Sequence, residues 1–264
     1  MSAEKPTKPV ITVKIGGKSA EDPGQLEPFA ADLQDLTADH HLLIVHGGGG
    51  EVSRISKQLG FEPRFHEGIR ITLEEEMDVV EMILSGKVNK RLVRFFQSRG
   101  LPAAGLCGAD GATVTGRTLG TVDGRQTRTG NVGEVDPALL TALFGAGFLP
   151  VLSPTSMDGK GAGVNINADS VAFEVACALR SQSLVFISDI PGVLKDGQVL
   201  KSLNRDEVRR EIASGTINGG MIPKATSAVE ALKRGVGQVI IGQYCGRGSL
   251  RALLEGGTGT RFHL

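Results

Sequence analysis

Short apolar runs that end at glycine recur along the chain. The run Val10-Ile-Thr-Val-Lys-Ile15 leads into Gly16-Gly17, and Leu42-Leu-Ile-Val45 leads through His46 into four consecutive glycines. Short runs of this kind are typical of strands buried on both faces of a parallel sheet. The same pattern predicts strands at 103–106, 148–153, 184–188 and 238–241, and the last of these is the final strand that the sequence indicates.

Segments with helical spacing separate these strands. Apolar residues at 26, 29, 30, 33 and 36 predict a crossover helix over 25–36. Thr72-x-x-Glu75 is a capping-box sequence that predicts the start of a long helical region, which Gly86 could interrupt. Further helices are predicted at 137–144, 171–179, 204–215 and 219–235. This alternation predicts an α/β fold, a three-layer αβα sandwich with a central, mostly parallel sheet.

One segment has a different pattern. From about Thr113 to Val135, β-branched residues alternate with Gly, Asp and Arg, which predicts a small antiparallel β ribbon over the main sheet. No linker, low-complexity tract or fixed-period repeat divides the 264 residues. The sequence therefore predicts a single domain over 1–264, large enough to bury a substantial core without metal or disulfide staples.

The composition disfavours some classes of partner. The 29 basic and 29 acidic residues cancel, so no net field would attract nucleic acid or an anionic membrane surface. Aromatic residues make up 4% of the chain, whereas there are 37 glycines, which favours backbone-lined pockets over stacking platforms. We therefore expect a small, polar ligand, no nucleic acid and no membrane.

The cysteines and the first residues indicate the compartment. Cys107, Cys177 and Cys245 are odd in number, widely spaced and without a Cys-x-x-Cys motif, as expected for reduced thiols. The chain begins with a polar stretch that contains two prolines, unlike the apolar region of a signal peptide, and no later run is long enough for a membrane span. We expect a cytoplasmic protein.

The glycine turn at 47–50 is the first candidate binding site. Apolar residues at 52, 55 and 59 predict a helix directly after it. A helix N-terminus beside backbone without side chains favours an anion. The turn is not a Walker A loop, which would need a glycine at Thr12 ahead of Gly17-Lys18-Ser19, nor a dinucleotide fingerprint, which would need one at Val52 or Ser53.

Charged and amide side chains lie near the ends of predicted elements. Lys14 lies inside the first strand between apolar neighbours, which favours a functional lysine over an edge-strand one. Arg70 directly precedes a helical region, where its guanidinium could bind a carboxylate, although a loop arginine is usually only solvated. Lys224 in the first turn of a helix opposes the helix dipole and needs a compensating anion. Asn165-Ile-Asn-Ala-Asp169 carries more polar side chains than one N-cap requires.

His46 is a candidate general base because it directly precedes the glycine turn. A histidine at such a turn more often anchors the loop through hydrogen bonds, and we prefer that interpretation. The other histidines share no metal-ligand spacing, so no protein ligands for a metal are predicted. The cysteines are predicted to be core or loop residues, and Met77 and Met82 to pack in a helix.

Seven short motifs resemble the amino acid kinase family. They are Val13-Lys-Ile-Gly-Gly17, Val45-His-Gly-Gly-Gly49, Gly68-Ile-Arg-Ile-Thr72, Gly86-Lys-Val-Asn-Lys90, Asn165-Ile-Asn-Ala-Asp169, Ser188-Asp-Ile-Pro-Gly192 and Gly219-Gly-Met-Ile-Pro-Lys224. They occur in the family's order and span nearly the whole chain, so the set is specific although each glycine run alone is weak. The match is closest to the members that act on N-acetyl-L-glutamate.

The resemblance implies ATP-dependent phosphorylation of the side-chain carboxylate of N-acetyl-L-glutamate, the second step of arginine biosynthesis. It implies an N-terminal lobe at about 1–168 for the acylated amino acid and a C-terminal lobe at about 169–264 for ATP. Lys14 and Lys224 would stabilise the transferring phosphoryl group, and Asp169 would hold both lysines. The acylated amino acid would be bound by Gly48, Gly49, Arg70 and Asn165. The nucleotide would be bound by Gly16, Gly17, Asp189, Ile190, Pro191, Gly192, Val193, Leu194, Thr216, Ile217 and Asn218.

The implied chemistry fits the residue types present. A carboxylate is already deprotonated at neutral pH, so the acceptor needs no general base. Two lysines, backbone N–H groups and Mg²⁺ can offset the charge of the phosphoryl transition state. Because Mg²⁺ in such sites is held mainly by phosphates, it needs few protein ligands.

Other functions stay open at this point. A relative that acts on carrier-protein-linked α-aminoadipate or glutamate, in lysine biosynthesis, should present a basic surface to its acidic carrier. The zero net charge and the Gly68-Ile-Arg-Ile-Thr72 motif disfavour it. A non-catalytic nucleotide-sensing module is disfavoured by the presence of both lysines and Asp169. Carbamate, aspartate and uridylate kinases fit the middle motifs less well.

The resemblance also leads to expectations about assembly. Arginine-inhibited members of the family carry an extra N-terminal helix that links dimers into hexamers, whereas about ten residues precede the first predicted strand here. The segment 256–264 also lacks the longer acidic segment of those members. We therefore expect a homodimer that arginine does not inhibit.

Overall fold

Strands and helices alternate along the chain, as the sequence predicts. The computed structural model describes residues 8–17, 20, 22–66, 68–122 and 124–264. The strands are β1 (Val10–Ile15), β2 (His41–His46), β3 (Arg64–His66), β4 (Ile69–Ile71), β5 (Ala103–Leu106), β6 (Val114–Thr118), β7 (Thr121–Val122), β8 (Arg125–Gln126), β9 (Thr129–Val135), β10 (Leu149–Leu152), β11 (Thr155–Met157), β12 (Gly163–Ile166), β13 (Ser183–Ser188), β14 (Leu194–Lys195), β15 (Gln198–Val199), β16 (Ser202–Leu203), β17 (Gln238–Gln243) and β18 (Thr260–Phe262).

The helices cover the predicted positions and add one near the C-terminus. They are α1 (Pro23–Thr37), α2 (Gly49–Gln58), α3 (Met77–Glu81), α4 (Asn89–Gln97), α5 (Ala138–Gly145), α6 (Ala168–Leu179), α7 (Arg205–Ala213), α8 (Met221–Lys233) and α9 (Ser249–Glu255), with 3₁₀ turns at Glu74–Glu76 and Asp110–Ala112 and a π-helical segment at Met82–Val88. Within the described ranges, none of the helices has both the length and the apolar character that a bilayer span requires.

Eight strands form the central sheet. In spatial order they are β16, β18, β17, β13, β1, β2, β10 and β5, and every neighbouring pair is parallel except β17 with β18. Side chains alternate along β1: Ile11, Val13 and Ile15 join a core with α1 on one face, whereas Val10 joins a core with α6 and α8 on the other. The predicted three-layer αβα sandwich with a mostly parallel sheet is therefore confirmed.

The predicted ribbon is present and belongs to a small closed barrel. β6 and β9 pair antiparallel, with the β7–β8 hairpin between them in the chain. β11 and β12, which the sequence pattern does not reveal, close the barrel against β6 and β9. Arg128 fixes one corner, because its guanidinium donates to Gly163 O at 2.6 Å and to Asp158 Oδ2 at 2.9 Å.

Three sequence-based details are wrong. The sheet does not end with the strand at 238–241, because β18 pairs antiparallel with it. The capping box predicted at Thr72 is absent, because Thr72 is buried against the barrel and Glu75 is half exposed. The N-cap is Leu73, whose N–H donates to Glu76 Oε2 at 3.0 Å but whose apolar side chain cannot accept a hydrogen bond in return. Met82 does not pack in the helix, since it lies on the outer face and is 61% exposed.

Gly86 does not interrupt the long helical region. The chain passes from α3 through the π-helical segment Met82–Val88 into α4. A π-helical turn has a wider hydrogen-bond ring than an α-helical turn, and such turns are frequent at functional sites. Here the segment presses Leu84 and Val88 against the glycine turn, so that a Cβ on Gly48 would lie 2.8 Å from Leu84 Cδ2.

Candidate active site

Two glycine turns lie side by side at the carboxyl ends of β1 and β2. Gly16 and Gly17 follow β1, and Gly47 N–H donates back to Ile15 O at 3.0 Å. A Cβ on Gly17 would lie 3.3 Å from Gly48 N, and one on Gly47 would lie 3.3 Å from Gly17 N. Glycine therefore allows the two backbones to approach each other at the sheet edge where open α/β sheets bind ligands.

Two lysines meet at the same edge through one carboxylate. Lys14, near the end of β1, places Nζ 2.8 Å from Asp169 Oδ1, and Lys224, in the first turn of α8, places Nζ 3.6 Å from Asp169 Oδ2. The side chains of Lys14, Asp169 and Lys224 are 14%, 26% and 29% exposed, so each can still reach a ligand. The anion that compensates Lys224 against its helix dipole is thus Asp169.

Asp169 is held in the first turn of α6. Asn167 caps this helix, because its side-chain oxygen accepts the N–H of Asp169 at 2.8 Å. A carboxylate in a first helical turn also interacts favourably with the helix dipole. The sequence Asn165-Ile-Asn-Ala-Asp169 therefore contains one N-cap, one residue that bridges two lysines, and Asn165 on the preceding strand β12.

A cavity of about 260 Å³ opens beside Lys14. All four residues predicted to bind the acylated amino acid line it, namely Gly48, Gly49, Arg70 and Asn165. Its apolar lining includes Val52, Phe65, Ile69, Val80 and Leu84. The cavity thus combines backbone, two cations (Lys14 and Arg70) and two asparagines with an apolar wall, as small-molecule sites commonly do.

Arg70 on β4 supplies a second cation to this cavity, beside Lys14. Its Nη2 donates to Gly49 O at 3.0 Å and also contacts Ser53 Oγ. The guanidinium carbon lies 4.8 Å from the centroid of the Phe65 ring. Burial lowers the pKa of Arg70 from its ordinary value, but a guanidinium stays charged at neutral pH. The cavity therefore holds a fixed positive charge.

Buried threonine hydroxyls fix the backbone and the amide on this side. Thr129 Oγ1 donates to Arg70 O at 2.8 Å and accepts from Thr72 N–H at 2.7 Å. Asn165 Nδ2 donates to Thr72 Oγ1 at 2.8 Å, and Thr127 Oγ1 donates to Thr72 O at 2.8 Å. Sequence reasoning missed this network, because threonines are common in strands and these pairs join distant parts of the chain.

A second cavity, of about 320 Å³, adjoins the first. Gly68, Ile69 and Asn167 line both cavities. Lys14 lines the first, whereas Lys224 and Asp169 line the second. The carboxylate that joins the two lysines therefore lies where the cavities meet.

Most of the residues predicted to bind the nucleotide lie outside these two cavities. Gly17 lines the first cavity, whereas 189–194 follow β13 into the β14–β15 hairpin and 216–218 connect α7 to α8. Val193 and Ile217 are core residues, 2% and 1% exposed, that anchor these two segments. None of the residues 189–194 and 216–218 lines either of the two cavities above, and Pro191 lines a separate cavity of about 550 Å³.

A hydrogen bond from His46 holds the glycine turn on its buried side. It is fully buried, with Nδ1 2.8 Å from Gly47 O and Nε2 3.1 Å from Asn89 Nδ2. An amide nitrogen only donates, so Nε2 accepts and Nδ1 carries the proton that is donated to Gly47 O. Burial, with a smaller effect of the cations Arg91 and Lys90, lowers the pKa of His46 to about 4. This geometry agrees with the anchoring interpretation and leaves His46 outside the cavity lining.

A carboxylate at the start of α2 is neutralised by cations. Glu51 Oε1 lies 2.8 Å from Arg54 Nη2 and 2.5 Å from Lys87 Nζ. Hydrogen bonds from these two side chains, Arg54 first, lower the pKa of Glu51 to about 2. The pairing reduces the repulsion between Glu51 and an anion at the adjacent glycine turn.

The cysteines and acidic residues form no metal site among the described residues. Cys107, Cys177 and Cys245 are free thiols, with Cys177 buried in α6 and the other two in connections, as predicted. In the part of the chain that the structure describes, no group of three or more His, Cys, Asp and Glu is arranged to hold a metal ion.

The sequence profile of the amino acid kinase family matches residues 9–243, and the chain belongs to that family. Curated relatives carry the name acetylglutamate kinase. The one from Methylobacterium nodulans is 40% identical over 244 residues, which cover 88% of this chain and 80% of the relative. The one from Rhizobium johnstonii is 38% identical over 264 residues, which cover 95% of this chain and 90% of the relative.

Solved structures share the fold at lower identity. N-acetylglutamate synthase from Neisseria gonorrhoeae, complexed with coenzyme A and N-acetyl-glutamate, matches with a TM-score of 0.83 and 24% identity, over 97% of this chain and 59% of that one. Carbamate kinase from Giardia lamblia, bound to AMP-PNP, matches with a TM-score of 0.67 and 16% identity, over 97% of this chain and 99% of that one. At these identities the likeness concerns the fold alone.

Proposed function

We propose that this enzyme phosphorylates the side-chain carboxylate of N-acetyl-L-glutamate with ATP, giving N-acetyl-L-glutamyl 5-phosphate and ADP in the second step of arginine biosynthesis. Membership of the amino acid kinase family and the relatives named acetylglutamate kinase support this function. The observation that carries it is the contact of Asp169 with Lys14 and with Lys224, at 2.8 and 3.6 Å. A cation from the first strand and one from a late helix thus meet where the two cavities adjoin, which we call the cleft.

The first cavity offers the groups that an acylated amino acid needs. Arg70 can bind one carboxylate of the substrate through its planar guanidinium, and the Asn165 amide can bind the same end. Val80 and Leu84 form an apolar wall for methylene and methyl groups. The other carboxylate would then lie near the glycine turn and Lys14, where the free N–H groups at the start of α2 favour an anion.

The proposed reaction depends on position and charge neutralisation. One oxygen of the ionised acceptor carboxylate forms a bond to the γ-phosphorus, while the bond from that phosphorus to the β,γ-bridging oxygen breaks and ADP leaves with the electron pair. No proton has to be removed from the acceptor, so no base is needed. Lys14 and Lys224 offset the charge on the equatorial phosphoryl oxygens, and Asp169 orients both ammonium groups.

ATP is assigned to the C-terminal side of the cleft. The nucleotide residues proposed are Gly16, Gly17, Asp189 to Leu194 and Thr216 to Asn218, and the AMP-PNP bound to the carbamate kinase of the same fold supports a nucleotide site. Because both carboxylate oxygens of Asp169 contact lysines, Mg²⁺ would be held mainly by the phosphates, where it would neutralise their charge.

The proposal extends to location and assembly. Three free thiols suit a reducing compartment, which supports a cytoplasmic enzyme. A homodimer and insensitivity to arginine stay predictions. Light scattering of the purified protein and an assay with arginine would check them, and a hexamer or inhibition by arginine would contradict them.

A coupled assay of ADP formation tests the function. Purified protein with ATP and Mg²⁺ should form ADP only when N-acetyl-L-glutamate is present, and hydroxylamine should trap the acyl phosphate as a hydroxamate. Turnover restricted to carrier-linked α-aminoadipate would support the lysine-pathway alternative instead. Nucleotide binding without turnover on any acid would support a sensing module and contradict the proposed function.

A further inference from the structure

The motif Gly86-Lys-Val-Asn-Lys90 has no role in the function proposed above, yet it contains a fully buried amide. Asn89 Nδ2 donates to His46 Nε2 at 3.1 Å and to Val151 O at 2.8 Å. Lys90 Nζ donates to Asn89 Oδ1 at 3.1 Å and to Gly105 O at 2.9 Å. A buried polar network of this kind is stable only when its members are paired, so the position of Asn89 is closely defined.

The neighbouring strand leaves room for this amide. A Cβ on Gly105 would lie 2.1 Å from Asn89 Oδ1, so glycine is required on β5 at this point. The same amide thus ties the start of α4 to the end of β10 through Val151 O, to β5 through Leu106 O at 3.4 Å, and through His46 to the end of β2. His46 is in this way fixed from the side opposite the glycine turn.

The orientation of one peptide group in the turn follows from His46. Its Nδ1–H donates to Gly47 O at 2.8 Å, which directs this carbonyl towards the buried ring. In a trans peptide the C=O and the following N–H point in opposite directions, and no cis peptide occurs in the described residues. Gly48 lines the first cavity, and its N–H has no acceptor in the described part of the chain. The N–H of Gly48 is therefore free to donate to a ligand.

We propose that His46 and Asn89 are positioning residues that hold the Gly47–Gly48 peptide with its N–H ready to donate to the anion bound at the glycine turn. His46 acts through the Gly47 carbonyl, and Asn89 acts through His46. This inference rests on the proposed function, because the anion is the acceptor carboxylate or the phosphoryl group that it receives. A donor already in place stabilises developing charge without reorganisation.

Asn89 determines which ring nitrogen of His46 carries the proton. Without the amide at Nε2, a neutral imidazole could carry its proton there and present the Nδ1 lone pair to Gly47 O, which would repel the carbonyl. The glycine peptide would then be free to rotate, since glycine has little conformational preference. The burial that keeps His46 neutral preserves a defined tautomer.

Two substitutions of His46 separate positioning from packing. His46→Asn places an amide nitrogen near the position of Nδ1 and can still donate to Gly47 O, whereas His46→Gln places its amide near Nε2 and cannot. We expect His46→Gln to lower kcat about 10- to 100-fold and His46→Asn to lower it less than about 5-fold, with the KM for ATP unchanged in both. Equal losses of kcat in the two variants would overturn the inference.

A double-mutant cycle tests the part played by Asn89. Asn89→Leu should lower kcat about 10-fold in the wild-type background and have little further effect in His46→Asn, which has no tautomer to orient. The same loss in both backgrounds would show that Asn89 acts independently and would overturn its role. Thermal melting of each variant identifies losses that come from unfolding.

A measurement without turnover distinguishes this inference from the proposed function. The carbonyl ¹³C chemical shift of Gly47 reports the hydrogen bond that it accepts. We expect the shift to be similar in the wild type and in His46→Asn, and to change in His46→Gln. The same shift in all three proteins would overturn the inference. If the three proteins show this pattern of shifts but the wild type forms no ADP in response to acetylglutamate, the proposed function is contradicted and the positioning role stands.

Discussion

The two sides of the cleft are built differently. On the proposed acceptor side, buried neighbours fix each candidate binding group: His46 lies under the glycine turn, Thr129 holds the backbone of Arg70, and Thr72 holds the amide of Asn165. On the proposed nucleotide side, 189–194 and 216–218 are short segments, in which mostly exposed or half-buried residues surround the buried anchors Val193 and Ile217.

The difference agrees with what each substrate brings. A carboxylate acceptor reacts without a base, so its rate depends on alignment, and alignment is most reliable when the folded protein fixes it beforehand. A nucleotide with its metal carries strong charge of its own and can order a loop as it binds. We call the acceptor side the fixed side and the nucleotide side the adaptable side. The cluster of Lys14, Asp169 and Lys224 lies between them.

Removing either lysine should have the largest effect. Lys14→Ala or Lys224→Ala should lower kcat by roughly 10²- to 10³-fold, about 3–4 kcal/mol, because each takes one cation from the transferring phosphoryl group. Lys233→Ala, on the same helix as Lys224 but paired with Glu230 on the surface, is the matched control. Steady-state kinetics of the folded variants measure this, and near-normal kcat in either variant would remove its assigned role.

Acid should destabilise the fixed side through His46. Its pKa is about 4 in the folded protein and about 6.5 in the unfolded chain, so the unfolded state binds the proton more readily. The stabilisation is complete above pH 6.5 and is lost as the pH falls towards 4, by about 3 kcal/mol in total. Urea unfolding between pH 7.5 and 4.5 should show less of this loss in His46→Gln than in a control at exposed His66.

A side chain in the glycine turn should disturb the acceptor side only. In Gly48→Ala the new Cβ would lie 2.8 Å from Leu84 Cδ2, whereas Gly50→Ala has open space. We expect Gly48→Ala to weaken acetylglutamate binding by about 1–3 kcal/mol and Gly50→Ala to have little effect. The additional change Leu84→Ala should restore part of the loss. Equal KM values for acetylglutamate in the two alanine variants would argue against this packing.

The smallest effect is expected on the adaptable side. Asn218 is exposed and donates from Nδ2 to Gly215 O at 2.9 Å. Asn218→Ala should raise the KM for ATP only a few-fold, about 1 kcal/mol or less, and leave the KM for acetylglutamate unchanged. A large increase in the KM for acetylglutamate would show that the two sides are not separate in the way described.

Much of the fold was predictable because its signals are local. Apolar runs gave the positions of β1, β2, β10, β13 and β17, and helical spacing gave α1 and α2. Lys224 in a first helical turn required an anion, and the structure supplies Asp169. These features depend on neighbours within a few residues or on the electrostatics of one helix end.

The rest depends on pairing between distant segments, which local patterns do not encode. β11 and β12 are short and partly polar, so their closure of the barrel has no periodic signal. The π-helical segment keeps nearly the same apolar spacing as an α-helix. Asn89 could have been noticed as an amide in a helix otherwise rich in apolar and basic residues, but its link to His46 exists only in the folded chain.

A crystal structure with ADP, aluminium fluoride and N-acetyl-L-glutamate tests the central claim most directly, because the fluoride complex takes the place of the transferring phosphoryl group. We predict that Nζ of Lys14 and Nζ of Lys224 both lie within about 3.2 Å of fluorides of that one group, with Asp169 still in contact with both lysines. A complex in which either ammonium group lies beyond hydrogen-bond distance would contradict the account.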